Sequence, residues 1–338
     1  MSNKKPQYAS RLLLVLLFFT ATSALAATQQ RYTVNRPVSA VLPAPALIKE
    51  EQILAELAEF VPQNIPIYWE TDYEYARETA RQSMRCLLIY FYVDCEQKIP
   101  ESLADVPVMS ACRKFGTVIL DDVFVRARLD WYVLLKLPID FKVTAEDGTE
   151  QPIYSLPGFE HMLGHPGLVV IDYARRDMPY YGEVVGILPF LWGESPTTRQ
   201  TITFLDLPPG TLSQRTLTYA VRIHPDRPES ANGEPAPIVV QMATEHAEFQ
   251  AERGVIGHHN YSARVYQAKE VLGGGTPAEI CAQTRPGLGL FEGSLASMRL
   301  WRNSPAHWSI ARRSHTYYGF DMVQGKNGAW FAVGFFIN

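Results

Sequence analysis

Residues 87–94 read LLIYFYVD, and this stretch decides the fold of the N-terminal half of the chain. A strand that is apolar on both faces is typical of the centre of a parallel sheet, because other elements cover both of its sides. The preceding residues, YWETDYEYARETARQSMRC at 68–86, have a helical pattern that Asp72 can cap. The sequence therefore predicts a helix followed by a buried central strand.

The pattern continues downstream of this strand. SLADVPVMSACRKFG at 102–116 predicts a helix, and WYVLLKLPID at 131–140 predicts a second buried strand. GLVVIDYARRD at 167–177 and YYGEVVGILPF at 180–190 predict a hairpin. The predicted order is helix, strand, helix, strand and then two antiparallel strands, which is an α/β arrangement.

This order resembles the thioredoxin fold over residues 65–192. Trp69 before the first helix, the strand LLIYFYVD and Pro166 in GHPGLVVID carry the resemblance. In that family the corresponding proline precedes the third strand and is cis, so the resemblance implies a cis bond at Pro166.

The redox motif of that family is incomplete in this chain. Thioredoxins carry Cys-x-x-Cys after the first central strand, and here DCEQK places Cys95 at the first position and Lys98 at the second. A helix N-terminus and Lys98 would both favour the Cys95 thiolate. Dithiol exchange needs a second thiol, which Cys112 could supply only if the fold brings it near. We expect a degenerate domain, with a single-cysteine redox site at Cys95 as the alternative.

The N-terminus predicts export. Residues 1–26 combine a basic segment, the apolar run LLLVLLFFTATSA and the cleavage site ALA, which together describe a signal peptide. No later segment is apolar enough to span a bilayer. A net charge of −4 gives no reason to expect nucleic acid as a partner. We therefore expect a soluble periplasmic or extracellular protein without a transmembrane segment.

Composition shifts divide the mature chain. We expect an N-terminal extension over 27–64, a thioredoxin-like domain over 65–195, a linker over 196–210 that is rich in turn-forming residues, and a second domain over 211–338.

The second domain has helical patterns followed by a closing hairpin. PIVVQMATEHAEFQAERG at 237–254 predicts a helix that ends at Gly254, with His246 on its apolar stripe as a core residue. SLASMRLWRNSPAHW at 294–308 predicts another helix, and the two segments HTYYGFDMV and AWFAVGFFIN flank a Lys-Asn-Gly turn. These elements predict an α-β-α sandwich of the α+β class.

Four sequence blocks resemble the CAP superfamily (cysteine-rich secretory proteins, antigen 5, pathogenesis-related 1), in particular its bacterial branch. They are, in order, EHAEFQAERGVIGHH, AEICAQ, LWRNSPAHW and AWFAVGFFI, and the resemblance covers residues 211–338. It implies that His258, Glu279 and His307 converge on one cleft, with His259 competing for the first role. It also implies a turn at Ser304 that presents His307. Departures from the family pattern are Ile280 and Cys281 after the glutamate, and Trp308 after the last histidine.

The resemblance also implies the function that we expect. Members of the family bind lipids, sterols or proteins, so we expect a ligand-binding cleft for a small molecule, a lipid or a peptide. Histidine and glutamate side chains are competent zinc ligands, so His258, Glu279 and His307 are also the candidate ligands of a divalent metal such as zinc. No catalytic nucleophile is evident. The alternatives are a hydrolase that uses the same three residues to activate water, or a thiol redox protein that uses Cys95.

Overall fold

The computed structural model describes residues 67–93, 107–145 and 147–338. All of these residues belong to one compact unit, Leu54–Asn338. Several predicted features lie outside the described residues. They are the signal peptide at 1–26, the N-terminal extension at 27–64, and the residues Cys95 and Lys98.

The described residues contain nine strands. In chain order they are β1 (Cys86–Tyr92), β2 (Tyr132–Pro138), β3 (Lys142–Thr144), β4 (Glu150–Pro152), β5 (Gly167–Ile171), β6 (Val184–Pro189), β7 (Pro277–Gln283), β8 (Tyr317–Gln324) and β9 (Trp330–Ile337).

The described residues also contain nine α-helices. In chain order they are α1 (Tyr73–Ser83), α2 (Pro107–Lys114), α3 (Val123–Leu129), α4 (Thr198–Leu205), α5 (Leu212–Ile223), α6 (Pro237–Arg253), α7 (Tyr261–Leu272), α8 (Leu290–Asn303) and α9 (Pro305–Ala311). Helix α2 continues into a π-helical turn, Phe115–Ile119, and short 3₁₀ turns lie at Ile153–Ser155, Phe159–Met162 and Leu191–Gly193.

The N-terminal half is built on a mixed sheet with the strand order β2-β1-β5-β6. Strand β1 is central as predicted: it pairs with β2 in parallel and with β5 antiparallel, and Leu87 to Phe91 are buried. The predicted hairpin of β5 and β6 is confirmed. The predicted cap of α1 is also confirmed, because the Asp72 side chain accepts a hydrogen bond from the Tyr75 amide.

The C-terminal half has a three-stranded antiparallel sheet in the order β7-β9-β8. Strand β9 is the central strand of this sheet and is buried along its whole length. It pairs antiparallel with β8, which confirms the predicted closing hairpin. Helix α6 packs against β8 and β9, and helix α9 packs against β7. Together, the two halves give the chain a mixed architecture of helices and sheets.

Helix α5 links the two halves, because it packs against both β6 and β8. One hydrophobic cluster accordingly runs from Ala76 in α1 to Phe336 in β9. The segment 196–210, predicted as a linker, contains helix α4, which Thr197 and Gln200 start with a reciprocal capping box. An ion pair between Arg128 and Asp206, 2.7 Å long, ties this segment back to α3.

Two findings bear on the sequence expectations. The peptide bond before Pro166 is trans, so the cis bond that the thioredoxin resemblance implied is wrong. Among the described residues, no helix combines the length and the apolar character that crossing a bilayer requires.

Candidate functional site

The site begins where helix α6 ends. Gly254 stops the helix with a positive φ of 67°, and its amide donates to the Gln250 carbonyl. Two buried side chains of α6 then hold the following loop: the Gly257 amide donates to Gln250 Oε1 at 3.2 Å, and the Gly257 carbonyl lies 2.7 Å from His246 Nε2. This fixed loop sets the position of His258.

Glu279 is the buried centre of the site. It lies on β7, where its side chain is 1% exposed, and its Oε2 accepts hydrogen bonds from Arg264 Nε at 2.9 Å and Nη2 at 2.6 Å. Its Oε1 lies 2.8 Å from His258 Nδ1. A buried carboxylate needs such partners, because burying an unpaired charge is very unfavourable. Glu279 is therefore a buried strand residue whose two carboxylate oxygens are both engaged.

The structure brings His258 and His307 together. Their ring centroids are 5.9 Å apart, although 49 residues separate them in the chain. The His258 side chain is 48% exposed, so this side of the site is open, whereas Glu279 closes the other side. We call the open region formed by His258 and His307, with Glu279 at its base, the histidine cleft.

The predicted helix over 294–308 is interrupted at Ser304, where the turn was expected, and His307 lies in the short helix that follows. Ser304 is at once the C-cap of α8 and the N-cap of α9, and Pro305 is the first residue of α9. Proline is favoured at that position because its missing N–H has no helical acceptor to lose. Trp301, which is fully buried at 0% exposure, anchors the end of α8 and thereby the start of α9.

His258, rather than His259, takes the first cleft position. The His259 ring packs against Phe249 at 5.6 Å and its Nε2 is buried. The His259 carbonyl accepts a hydrogen bond from Arg264 Nη1 at 2.6 Å. Two adjacent histidines thus have different environments, because one side chain enters the cleft and the other covers α6.

The buried side of the site contains His246 and Cys281. They are 2% and 3% exposed, which confirms the prediction that His246 is a core residue. However, His246 Nε2 lies 3.6 Å from Glu279 Oε1, and Cys281 Sγ lies 3.9 Å from the same oxygen. Both are therefore neighbours of the site as well as parts of the core.

Burial shifts the protonation of the titratable groups here. It lowers the pKa of His307 below the ordinary histidine value, and the nearby charge of His258 lowers it further. Burial also lowers the pKa of His246, against the attraction of Glu279. It raises the pKa of the Cys281 thiol, and Glu279 adds to this shift. Both effects disfavour the thiolate form of Cys281.

The three residues of the predicted zinc site are neighbours in the structure. Glu279 Oε1 lies 2.8 Å from His258 Nδ1, and the ring centroids of His258 and His307 are 5.9 Å apart. Imidazole and carboxylate groups are competent zinc ligands, and a zinc ion held by these three residues stays a prediction. Toward the cleft, Glu279 also holds the His258 ring in place through Nδ1.

Sequence reasoning missed Arg264. It lies on α7 and is 9% exposed, although charged residues are rarely so buried unless they are paired. No local sequence motif indicates Arg264, because its ion pair with Glu279 joins helix α7 to strand β7, 15 residues further along the chain. His246 carried a signal, its helical periodicity, but that pattern predicts burial only.

Comparisons with known proteins add no assignment. No protein-family model matches the chain, and no curated protein matches it.

Proposed function

We propose that this chain is an exported protein with a thioredoxin-like part and a CAP-like part, and that it binds a ligand in the histidine cleft. The observation that carries the proposal is the meeting of His258 and His307 at 5.9 Å over the buried carboxylate of Glu279. The order of helices and strands around β1 supports the thioredoxin-like part, and the trans bond at Pro166 is a departure from it.

The cleft favours a ligand with an acidic or hydrogen-bonding group. Since Nδ1 of His258 is engaged by Glu279, its Nε2 is the nitrogen left for a ligand. His307 adds a second imidazole beside it. Two exposed apolar residues, Val255 at 52% and Ile256 at 41%, immediately precede the Gly257–His258 segment. A small amphiphile, with an acidic head at the histidines and an apolar chain over these residues, matches this surface.

A direct test is isothermal titration calorimetry of the full chain with dodecanoate as the probe. We expect His307→Ala to weaken binding about tenfold or more, because a hydrogen bond to a charged group is worth about 1.5–3 kcal/mol. The matched control is His165→Ala, which removes a histidine from the N-terminal half. Binding that is unchanged in both His258→Ala and His307→Ala would rule out the cleft as the binding site.

A second candidate function is hydrolysis, and the Glu279–His258 pair favours it. A buried carboxylate on Nδ1 holds the imidazole in one tautomer and orientation and leaves Nε2 free to accept a proton. With Cys281 buried as a thiol, the nucleophile would be water. Turnover of 4-nitrophenyl butyrate by the full chain, lost in His258→Ala and kept in His165→Ala, would favour this function over binding alone.

A further inference from the structure

The inner side of Glu279 carries a second group of ligand atoms. One ligand atom from each of His246, Glu279 and Cys281 lies within 4.8 Å of the other two. All three residues are buried, and they come from the long helix α6 and from β7, an edge strand of the C-terminal sheet. Imidazole, carboxylate and thiol are the three side-chain types that bind zinc.

The spacing of these atoms is close to that of ligands around one metal ion. Zinc bonds of about 2.0–2.3 Å in a tetrahedral arrangement place neighbouring ligand atoms about 3.3–3.7 Å apart. Here Glu279 Oε1 lies 3.6 Å from His246 Nε2 and 3.9 Å from Cys281 Sγ. His258 Nδ1 lies 3.8 Å from Cys281 Sγ, on the side that opens to the cleft.

We propose that His246, Glu279 and Cys281 bind a divalent transition metal such as zinc, with the fourth position facing His258. This ligand set differs from the predicted one: Glu279 is shared with His246 and Cys281, and His307 takes no part. The proposal does not depend on the ligand of the histidine cleft.

The surroundings of the three residues suit this role. Arg264 occupies Oε2 of Glu279 with two hydrogen bonds, which orients the carboxylate. Oε1 lies 2.8 Å from His258 Nδ1, and its two lone pairs allow it to keep this contact and bind the metal as well. Gln250 Nε2 lies 3.6 Å from Cys281 Sγ and donates to it. A Cys281 thiolate adds a negative charge beside the carboxylate, whose own charge is paired with the Arg264 guanidinium.

Metal binding also changes the protons of the site. The Cys281 thiol releases its proton to solvent as the metal–sulfur bond forms, and His246 gives up the hydrogen bond from Nε2 to the Gly257 carbonyl, its ring proton moving to Nδ1. One proton is therefore released for each ion bound. Binding should tighten as the pH rises.

The test is titration of the metal-free full chain with Co²⁺, followed by displacement with Zn²⁺. We expect one Co²⁺ per chain and a thiolate-to-cobalt charge-transfer band in the near ultraviolet. Cys281→Ser should abolish the band and weaken binding about tenfold or more, and His246→Gln should weaken binding similarly. His307→Ala and the matched control Cys86→Ser should keep both the band and the affinity.

Several outcomes would overturn this site. They are the absence of Co²⁺ binding, binding without the thiolate band, a band that survives Cys281→Ser, and binding that is lost in His307→Ala but kept in His246→Gln. The wild-type spectrum decides the matter even if Cys281→Ser fails to fold. Because dodecanoate binding depends on His307 and metal binding does not, failure of one proposal is distinguishable from failure of the other.

Discussion

At the scale of single residues, the Arg264–Glu279 pair organises the site. Arg264 Nη2 lies 2.6 Å from Glu279 Oε2, and the two side chains are 10% and 1% exposed. A buried ion pair of this kind adds little stability over an apolar pair of similar volume. Removing one of its two charges is nevertheless strongly destabilising, because the other charge is left buried and unpaired. Arg264 holds the Glu279 carboxylate in place with two hydrogen bonds, and Glu279 in turn holds His258.

We predict that Arg264→Leu lowers the free energy of unfolding by about 3–5 kcal/mol, because it leaves the Glu279 carboxylate buried without its cation. Urea denaturation followed by circular dichroism measures this change. The matched control is Arg299→Leu on the exposed face of α8, which should change stability by less than about 0.5 kcal/mol. Equal effects of the two substitutions would show that the buried pair does not need Arg264.

The sequence could indicate part of this site. The block order around His258, Glu279 and His307 predicted residues that the structure does bring together. It could not indicate Arg264, because the pairing of α7 with β7 is a tertiary contact without a local pattern. For the same reason, the periodicity that placed His246 in the core said nothing of its distance from Glu279.

At the scale of elements, the position of α6 on the sheet depends on Gly319. A Cβ atom at Gly319 would lie 2.4 Å from the Val239 carbonyl oxygen, which is far closer than van der Waals contact. The helix therefore approaches β8 at a point where no side chain fits. Since α6 carries both His246 and the start of the His258 loop, this approach also sets the geometry of the site.

We predict that Gly319→Ala lowers the free energy of unfolding by about 1–3 kcal/mol, the usual range for overpacking. The control is Gly116→Ala in the helical segment after α2, where a Cβ meets nothing within 4 Å. Alanine there should be neutral or stabilising by up to about 1 kcal/mol, because it reduces the backbone entropy of the unfolded chain. Urea denaturation of both variants tests the pair, and a Gly319→Ala protein as stable as the wild type would contradict the close approach.

Element types follow the sequence pattern where a segment is long and periodic. The buried strand β1, the β5–β6 hairpin and helix α6 all lie where their patterns predicted them. The segment 294–308 was predicted as one helix, with a turn at Ser304 implied by the family resemblance. In the structure Ser304 separates α8 from the seven-residue helix α9, Pro305–Ala311. Helix α9 packs against α8 and β7, and such tertiary contacts leave no local sequence pattern.

At the scale of the whole molecule, the described residues of both halves form one unit around α5. Two buried histidines of the C-terminal half, His246 and His315, show how burial affects the pKa of an imidazole. His246 lies on α6, and His315 stacks on Phe336 with ring centroids 4.5 Å apart. In each case burial lowers the pKa below the ordinary value of 6.5.

This shift predicts how stability depends on pH. A histidine whose folded pKa lies below 6.5 binds its proton more tightly in the unfolded chain, so acid favours unfolding. The same direction holds at three partly buried histidines, namely His161, His224 and His307. The contribution of these residues is fully present above pH 6.5 and is lost as the pH falls from there toward their folded pKa values.

We therefore predict that the free energy of unfolding of the full chain decreases as the pH falls below about 6.5. Urea denaturation at a series of pH values measures this slope. His315→Gln should reduce the slope, because it removes one histidine that is buried neutral, and His165→Gln serves as the matched control in the N-terminal half. A slope that is the same in His315→Gln, His165→Gln and the wild type would mean that buried histidines do not set the acid stability of this fold.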